Sequence, residues 1–299
     1  MSLLVVGTGA LACLFAARLA SIGLPVTMLG SWPEGMAALR QHGVRLLDLN
    51  GSTHSYDVEV LDAGSCRGSF SKALVLVKSW QTAHVARQLE GCLDRSGIVL
   101  TLQNGFGNVE TLQAVLGSAR VALGVTTTGA KVLEPGYVQH TGEGKVSLGS
   151  NKNIAGFGEL LQKSGFQVEM IADPQSLLWG KLVINAAINP LTALLRVPNG
   201  ELLARPSARE LMQEAATEAA LVAAAKGIKL PYDDPEDAVE AVAKNTASNM
   251  SSMLQDVLRG TPTEIDAING AIIHESEKVG LLAPVNRILW RLVRGLDRH

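Results

Sequence analysis

The chain has 299 residues, 47% hydrophobic and 18% charged, a composition typical of a globular protein that buries a large core, more readily as two domains than as one. Its formal net charge of -2 provides no general attraction to nucleic acid or to an anionic membrane, so we expect neither as a partner. Cys13, Cys66 and Cys92 are odd in number and widely spaced, which argues against a disulfide framework or a metal cluster and suits the cytoplasm. We also predict neither a membrane anchor nor a signal peptide, because apolar runs fall short of roughly 20 residues and no basic segment precedes the first one.

A dinucleotide-binding turn is predicted at the N-terminus. Residues 3–6 predict a short strand, residues 10–20 predict a helix of small residues, and between them lies Gly7-Thr8-Gly9-Ala10-Leu11-Ala12. Gly7 permits the tight turn, Gly9 lets the main chain approach a pyrophosphate, and the helix N-terminus faces its negative charge. An ordinary strand-to-helix turn is the alternative, but the position directly after the first strand favours a nucleotide.

The residues after the second predicted strand, 26–29, bear on which nucleotide binds. A carboxylate there accepts the ribose hydroxyls of NAD, whereas a basic residue meets the additional phosphate of NADP. This chain has Gly30, Ser31 and Trp32 at that place, and they supply neither group. Ser31 and Arg40 are candidates for a phosphate contact, but plain surface positions explain them equally well, so these residues leave the cofactor open.

Two polar residues follow buried strands of the predicted sheet. The continuous apolar run 73–77 is followed by Lys78, and the run 98–102 is followed by Asn104. Open parallel sheets bind ligands beyond the carboxyl ends of their strands, so we expect both side chains at the ligand edge. A surface lysine and a turn asparagine are the alternatives for either residue alone, and their parallel placement favours a site.

The other segments of the first half carry no obvious catalytic group. Asn50-Gly51 predicts a hairpin within an antiparallel insertion over residues 44–61. Residues 124–130 predict another strand end, where small residues let a ligand approach. We then expect a hairpin over 136–149, followed by a helix over 156–164 and a last strand over 166–171.

Strand signals stop near residue 172, and alanine-rich helical periodicity follows, notably over residues 209–226 and 235–244. We therefore predict an α/β, doubly wound Rossmann-type domain that binds a dinucleotide over residues 1–172. An all-α domain for substrate binding and catalysis is predicted over residues 173–299.

The first helix of the second domain carries a polar seam. Residues 177–192 are apolar nearly everywhere except at Lys181, Asn185 and Asn189, which fall within an arc of roughly 80° on one helical face. Burying an ammonium and two amides without partners costs several kcal/mol, so protein groups, water or a polar ligand must meet them. An internally satisfied core network is one interpretation, and a ligand wall with Lys181 as its charge is the other.

Glu264 also has two interpretations. Thr261, Pro262 and Glu264 match a capping box at a helix start, which is a structural role. Glu264 also lies on the same helical face as Ile268 and Ile272. A carboxylate on an apolar face is costly unless it is paired, which favours a functional role.

These motifs resemble those of the ketopantoate reductase family almost from one end of the chain to the other. The glycine turn is common to many oxidoreductases and adds little specificity. The specific motifs are Trp179-Gly180-Lys181 with Asn185 and Asn189-Pro190-Leu191-Thr192, then Pro198-Asn199-Gly200-Glu201-Leu202, then Ser251-Ser252-Met253-Leu254-Gln255-Asp256, and finally Thr263-Glu264-Ile265-Asp266 with Asn269-Gly270.

The resemblance implies NADPH-dependent reduction of 2-dehydropantoate to (R)-pantoate, a step towards pantothenate and coenzyme A. It implies Lys181 as the proton donor, with Glu264 reaching both cofactor and substrate at the catalytic centre. The substrate-binding residues that it implies are Asn104, Lys181, Asn185, Asn189, Asn199 and Ser252. The cofactor-binding residues that it implies are Gly7, Thr8, Gly9, Ala10, Leu11, Ala12, Ser31, Lys78, Asn104, Ala130 and Glu264.

One position departs from the family. Its members commonly have an arginine after the second strand for the NADP phosphate, and this chain has Ser31 near that place, so NADH stays an alternative to NADPH. The functional alternatives are a related reductase of another branched 2-keto acid and a non-catalytic dinucleotide-binding regulator. The presence of Lys181, Asn185, Ser252 and Glu264 argues against the regulator. The chemistry requires no metal, and the apolar helices of the second half are compatible with a homodimer.

Overall fold

The structure is a computed structural model that describes residues 3–62, 64, 66, 70–150 and 154–296. The chain divides into two compact units, of which the first comprises Met1–Gln103 and Asn108–Pro174. The second comprises Asn104–Gly107 and Gln175–His299. The short segment Asn104–Gly107 therefore belongs to the helical unit, although it follows a strand of the first unit.

The first unit alternates strands and helices along most of its length. Its elements are β1 (Leu3–Val6), α1 (Ala10–Ser21), β2 (Val26–Gly30), α2 (Pro33–His42), β3 (Val44–Leu47), β4 (Thr53–Tyr56), β5 (Glu59–Asp62), β6 (Phe70–Val75), α3 (Thr82–Cys92), β7 (Leu93–Thr101), α4 (Asn108–Leu116), β8 (Val121–Thr126), β9 (Gly129–Glu134), β10 (Tyr137–Gly142), β11 (Lys145–Gly149), α5 (Ala155–Lys163) and β12 (Gln167–Ile171). Short 3-10 helices cover Ser79–Gln81 and Ser118–Arg120.

Within the described residues, the larger sheet has eight strands in the order β12-β11-β8-β7-β6-β1-β2-β5. All of its pairings are parallel except the pairing of β8 with β11. The carboxyl ends of the central strands are aligned, because Val6 pairs with both Leu29 and Val75, and Val75 pairs with Thr101. This confirms the predicted α/β class and brings four strand ends to one edge, where an open sheet binds its ligands.

A smaller sheet has the strand order β4-β3-β10-β9. Helix α1 packs between the two sheets, with Phe15 and Leu19 in one core cluster with Val5 of the larger sheet and Leu46 of the smaller one. A helix covered on both sides has to be apolar and slender, which explains its run of alanines.

Two expectations about the first unit are wrong in part. The Asn50-Gly51 hairpin is confirmed, since β3 and β4 pair antiparallel, but β5 runs parallel to β2 in the larger sheet and is not part of an antiparallel insertion. The hairpin expected over residues 136–149 does not form, because β10 pairs in the smaller sheet and β11 in the larger. Between them, Gly144 approaches the main chain of Thr127 so closely that a Cβ would lie 2.4 Å from the Thr127 carbonyl carbon, which allows the chain to change sheets.

The cysteine argument also needs correction, because Cys66 and Cys92 form a disulfide with their Cα atoms 5.1 Å apart. The two residues are 26 positions apart in the sequence, and Cys66 packs against the apolar cluster that contains Cys92 of α3 and Phe70 of β6. Cys13 is a buried free thiol whose pKa is raised to about 12 by desolvation.

The second unit is helical throughout its described part. Its elements are α6 (Pro174–Leu195), a 3-10 helix (Asn199–Leu202), α7 (Pro206–Ala225), α8 (Pro235–Asn245), α9 (Ser252–Arg259), a π-helical turn (Asp266–Gly270), α10 (Ala271–Lys278) and α11 (Pro284–Arg294). Helix α6 is long and apolar enough for a membrane span by composition, with a mean hydropathy of 1.3, but 72% of that window is buried within the protein. Its Trp179, Val183 and Ala187 belong to the core of the second unit, so α6 is a core helix.

Candidate active site

The glycine turn between β1 and α1 has the geometry of a pyrophosphate cradle. Gly7 adopts a φ of +127°, which an L side chain rarely adopts, and a Cβ there would lie 3.1 Å from the Leu76 carbonyl oxygen. Gly9 caps α1 without a side-chain hydrogen bond, no acidic residue lies in the first turn, and a Cβ on Gly9 would meet no atom within 4 Å. The main-chain N–H groups at this helix start therefore face open space and fit an anionic group.

Other residues of the glycine turn pack on its buried side. Thr8 and Ala12 are buried, while Ala10 and Leu11 are partly accessible. The buried Ala12 methyl would lie 3.2 Å from a Cβ on Gly7, so a small residue is needed for the helix to approach the turn. This accounts for alanine at the third small position of the motif.

Lys78 lies at the carboxyl edge of the larger sheet, as predicted, and Ser31 follows β2 at the same edge. Lys78 is extended and precedes the Ser79–Gln81 turn. The carbonyl just before it, of Val77, accepts a 3.1 Å hydrogen bond from the buried Gln103 amide. Ser31 is exposed after β2, and its hydroxyl accepts a 3.1 Å hydrogen bond from Gln81 Nε2. The loops after β2 and β6 are thus linked beside the glycine turn.

Ala130 lies where the chain passes from one sheet of the first unit to the other. The strand end predicted within residues 124–130 is present, because β8 ends at Thr126 in the larger sheet, and β9 then begins at Gly129 in the smaller one. Ala130 pairs with His140 in the smaller sheet. Because β8 runs parallel to β7, Thr126 ends at the same carboxyl edge of the larger sheet, and Ala130 follows it by four residues.

The polar seam of α6 is present in the second unit. Asn189 is buried, and Lys181 and Asn185 are partly buried. Desolvation lowers the pKa of the Lys181 ammonium from 10.5 to about 8, and the negative charge of Glu264 opposes this shift. Glu264 is itself only 4% exposed, so a lysine and a carboxylate interact electrostatically inside the helical unit.

Pro190 in the middle of α6 explains why a polar side chain from another segment packs against the main chain of this helix. A proline has no N–H, so the Ala186 carbonyl loses its helical donor. Asn269 Nδ2 donates to that carbonyl at 3.0 Å and to Asn286 Oδ1 at 2.9 Å. Asn269 is thus a structural residue, and Pro190 was the signal in the sequence that could have predicted a side-chain donor here.

Ser252 and Asn199 come from separate elements of the second unit. Ser252 opens α9, whose N-cap Ser251 accepts a 3.0 Å bond from Leu254 N and shares a 2.7 Å hydrogen bond with Thr192 at the end of the α6 seam. Asn199 donates from Nδ2 to Thr246 at 2.8 Å. Its buried Oδ1 has no hydrogen-bond partner among the described residues, so it remains an acceptor for a ligand hydroxyl.

The capping-box interpretation of Glu264 is wrong. The Thr261 hydroxyl donates to the Asp256 carbonyl at 3.2 Å, and the next helical turn begins at Asp266. Glu264 instead accepts at its own main-chain carbonyl from Ala267 and Ile268. Thr261 is therefore not the N-cap of a helix that contains Glu264, since the turn Asp266–Gly270 has Ile265 at that position.

Asn104 is brought into the second unit by a short excursion of the chain. Phe106 N donates to the Ala267 carbonyl at 2.8 Å, and the Phe106 ring lies 5.4 Å from that of Trp179. Gly105 has a φ of +82°, and a Cβ there would lie 2.8 Å from the Ala267 carbonyl oxygen. Gly105 is thus required for this segment to pack beside the π-helical turn. Its contact residue there, Ala267, is three positions after Glu264 in the sequence.

These parts define a class of protein. A strand, glycine turn and helix suited to a dinucleotide occur in one unit, and a desolvated lysine on a polar seam occurs in the other, which are the components of a nicotinamide-dependent oxidoreductase. Among the described residues, no group of three or more His, Cys, Asp or Glu side chains is placed to hold a metal ion.

Comparison with known proteins identifies the family within that class. The family model described as ketopantoate reductase PanE/ApbA matches residues 3–153, and its C-terminal counterpart matches residues 173–297. The chain is 35% identical over 303 residues to the 2-dehydropantoate 2-reductase of Halobacterium salinarum, covering 100% of this chain and 99% of that protein. The chain belongs to the ketopantoate reductase PanE/ApbA family.

Solved structures share this fold over almost the whole chain. The PanE/ApbA family ketopantoate reductase from Ralstonia eutropha has a TM-score of 0.92 and 31% identity, covering 99% of this chain and 98% of that one. A D-mandelate dehydrogenase with NADH and anilino(oxo)acetate has a TM-score of 0.91 at 24% identity, covering 99% of this chain and 98% of that one, which shows a common fold.

Proposed function

We propose that this chain reduces 2-dehydropantoate to (R)-pantoate with NADPH, in the cytoplasm, as a step of pantothenate and coenzyme A biosynthesis. Its membership of the ketopantoate reductase family supports this reaction. The observation that carries the proposal is the lowered pKa, about 8, of Lys181 on the polar seam of α6. A lysine in that range donates a proton near neutral pH far more readily than an ordinary lysine does.

Lys181 is the proton donor in this proposal. Reduction of a ketone places negative charge on its oxygen, so a cation that donates a proton there stabilises the transition state more than the ground state. The Lys181 ammonium performs both tasks, since it is charged below about pH 8. Reduction should therefore slow as the pH rises through about 8, because the unprotonated amine has no proton to give.

Glu264 and the asparagines have supporting roles. Glu264 raises the pKa of Lys181 and keeps more of it protonated at neutral pH. We assign substrate binding to neutral side chains that add hydrogen bonds without further charge, and these are Asn104, Asn185, Asn189, Asn199 and Ser252. Such groups orient a hydroxy acid while Lys181 retains the electrostatic task.

The nucleotide is assigned to the first unit. When bound, the reduced nicotinamide ring supplies the hydride. The main chain of Gly7 to Ala12 would hold the pyrophosphate, as the open space before Gly9 supports. The further contacts assigned to it within this unit are Ser31, Lys78 and Ala130.

The experiment that tests the function is an assay of NADPH and NADH oxidation with 2-dehydropantoate and with other branched 2-keto acids. We expect rapid oxidation with 2-dehydropantoate, and no reduction of it would overturn the proposal. A Gly9→Ala variant separates binding from folding, because its φ of -83° accepts alanine and the added Cβ meets no protein atom. It should weaken nucleotide binding roughly tenfold or more with an unchanged melting temperature.

A reductase of another 2-keto acid is the second candidate. Contacts in the substrate pocket set which 2-keto acid is reduced, whereas the departure at Ser31 bears on the nucleotide alone. A preference of at least tenfold in kcat/KM for a different 2-keto acid would establish it. A homodimer stays part of the proposal, and sedimentation equilibrium of the full chain tests it.

A further inference from the structure

The end of strand β2 has an ion pair beside it that the sequence did not connect to the nucleotide. Strand β5 runs parallel to β2 with Asp62 paired in register with Gly30, so Asp62 ends its strand at the same edge of the sheet. Arg40, on α2, places its Nη2 2.7 Å from Asp62 Oδ1. Since adjacent strands are about 4.8 Å apart, both charges lie within a side chain's reach of the residue after Gly30.

This edge is also continuous with the glycine turn. Gly30 packs against Thr8 so closely that a Cβ on Gly30 would lie 2.4 Å from Thr8 Cγ2. A dinucleotide whose pyrophosphate lies at the turn extends its adenine ribose past the end of the second strand. The residue at that end, Ser31, has only a hydroxyl, which already accepts a hydrogen bond from Gln81.

We propose that the Arg40–Asp62 pair reads the 2′ position of the adenine ribose and sets the choice between NADPH and NADH. The proposal rests on the proposed binding of the nucleotide at the glycine turn. Arg40 donates to the 2′-phosphate of NADPH. Asp62 holds the guanidinium and, as an anion at the same edge, limits how strongly the phosphate is preferred.

The chemistry of the two groups supports this division. Within the described residues, Arg40 uses one nitrogen, Nη2, for its hydrogen bond to Asp62, which leaves Nε and Nη1 for a second anion. The 2′-phosphate gains a charge-assisted hydrogen bond from Arg40 and is repelled by Asp62. The two formal charges cancel, so we expect a modest preference for NADPH in the natural chain.

The solvent exposure of the Arg40 and Asp62 side chains sets the expected change in nucleotide affinity. The side chains of Arg40 and Asp62 are 44% and 71% exposed, so solvent and salt screen both of them. The expected changes in affinity are therefore roughly tenfold, at the lower end of the range for charged hydrogen bonds. They should shrink as the ionic strength rises.

The test measures the dissociation constants of NADP⁺ and NAD⁺ by calorimetry at low salt, together with kcat/KM for both reduced nucleotides. Arg40→Met should weaken NADP⁺ roughly tenfold and leave NAD⁺ within about twofold. Asp62→Asn should strengthen NADP⁺ relative to NAD⁺. The matched control is Arg45→Met, since Arg45 forms a similar 3.0 Å pair with Glu134 in the smaller sheet and should leave the ratio unchanged.

The proposal is overturned if the ratio of NADP⁺ affinity to NAD⁺ affinity does not change in Arg40→Met, or if this affinity ratio falls in Asp62→Asn. An equal change in Arg45→Met also overturns it, because the effect would then be one of general charge. Failure of the proposed function is distinct, since it would appear as absent reduction of 2-dehydropantoate in the natural chain. The dissociation constants of NADP⁺ and NAD⁺ are measured without a keto acid, so they test the Arg40–Asp62 pair whether or not 2-dehydropantoate is reduced.

Discussion

Two polar side chains of the second unit, Asn269 packed against α6 and Lys181 on α6 itself, differ in how the surrounding protein stabilises them. Asn269 is fully buried and donates to the Ala186 carbonyl and to Asn286, which in turn donates to the Ala215 carbonyl and to Glu218. Lys181 keeps a charge that its surroundings destabilise, as its lowered pKa shows. The Nδ2 group of Asn269 thus has two acceptors within the fold, although its Oδ1 has no partner among the described residues, whereas a charge kept at a cost to stability is explained by chemistry.

The largest effect expected from this contrast is the loss of activity in Lys181→Ala. Without its proton donor and cation, kcat should fall by roughly 10²- to 10⁴-fold with nucleotide affinity largely retained. Steady-state kinetics and nucleotide titration measure both quantities. The control is Lys226→Met, a lysine paired with Glu275 at 2.5 Å, which should lose stability and keep kcat. Near-normal turnover in Lys181→Ala would remove this lysine from the proposed role.

Asn269→Ala should show the opposite behaviour. It leaves the Ala186 carbonyl and Asn286 Oδ1 without their donor in a buried place, which should lower the free energy of unfolding by about 2 to 4 kcal/mol. Urea denaturation measures this loss, and kcat of the folded fraction should change little. Asn245→Ala, at an exposed helix end, is the control and should change stability by less than about 0.5 kcal/mol. A fully stable Asn269→Ala would show that the network does not hold α6.

The pH dependence of stability should also distinguish the two groups. Below pH 8 Lys181 is protonated in both folded and unfolded chains, and the cost of burying its ammonium is fully present. Between pH 8 and 10.5 the folded protein releases this proton while the unfolded chain keeps it, so the contribution of Lys181 to stability rises by about 3 kcal/mol. Comparing urea denaturation of the natural chain and Lys181→Met across this range isolates the rise. Identical pH profiles would mean that the ammonium is hydrated in the folded state.

The smallest expected effect concerns Gly180, which precedes Lys181. A Cβ there would lie 2.6 Å from two ring carbons of Pro231, and Tyr232 donates to the Gly180 carbonyl at 3.0 Å. Gly180→Ala should therefore cost about 1 to 3 kcal/mol and displace the lysine, which lowers kcat as well. Gly91→Ala in α3 is the matched control, because its nearest neighbour is 4.0 Å away and alanine should stabilise that helix by about 0.5 to 1 kcal/mol. Equal stability changes in both variants would contradict the packing argument.

The sequence predicted those strands and helices whose hydrophobic pattern matches the way they are buried in the structure. The central strands β1, β2, β6 and β7 each contain a short, mainly apolar run, and the helices of the second half have a clear period, so their existence follows from local sequence. The partners of β5, β10 and β11 did not follow, because pairing depends on segments distant in sequence. The Cys66–Cys92 disulfide was missed for the same reason.

The candidate site likewise contains features that local sequence predicts and features that depend on distant segments. The glycine turn is built from the main chain, so a motif of small residues was enough to predict its geometry. The α6 seam was visible from spacing, but the lowered pKa of Lys181 depends on what surrounds it, which includes Glu264 from a segment some 80 residues away. The interaction of Arg40 with Asp62 was invisible, because it needed the parallel pairing of β2 with β5.

The polypeptide crosses between the two units at three peptide bonds, after Gln103, after Gly107 and after Pro174. A gene divided at the last of these would therefore not encode two independent halves. The C-terminal fragment would lack the N–H that meets the Ala267 carbonyl and the aromatic ring that covers Trp179, and both come from Phe106. Split-protein reporters and domain exchanges between relatives should keep residues 104–107 from the same parent as the helical unit.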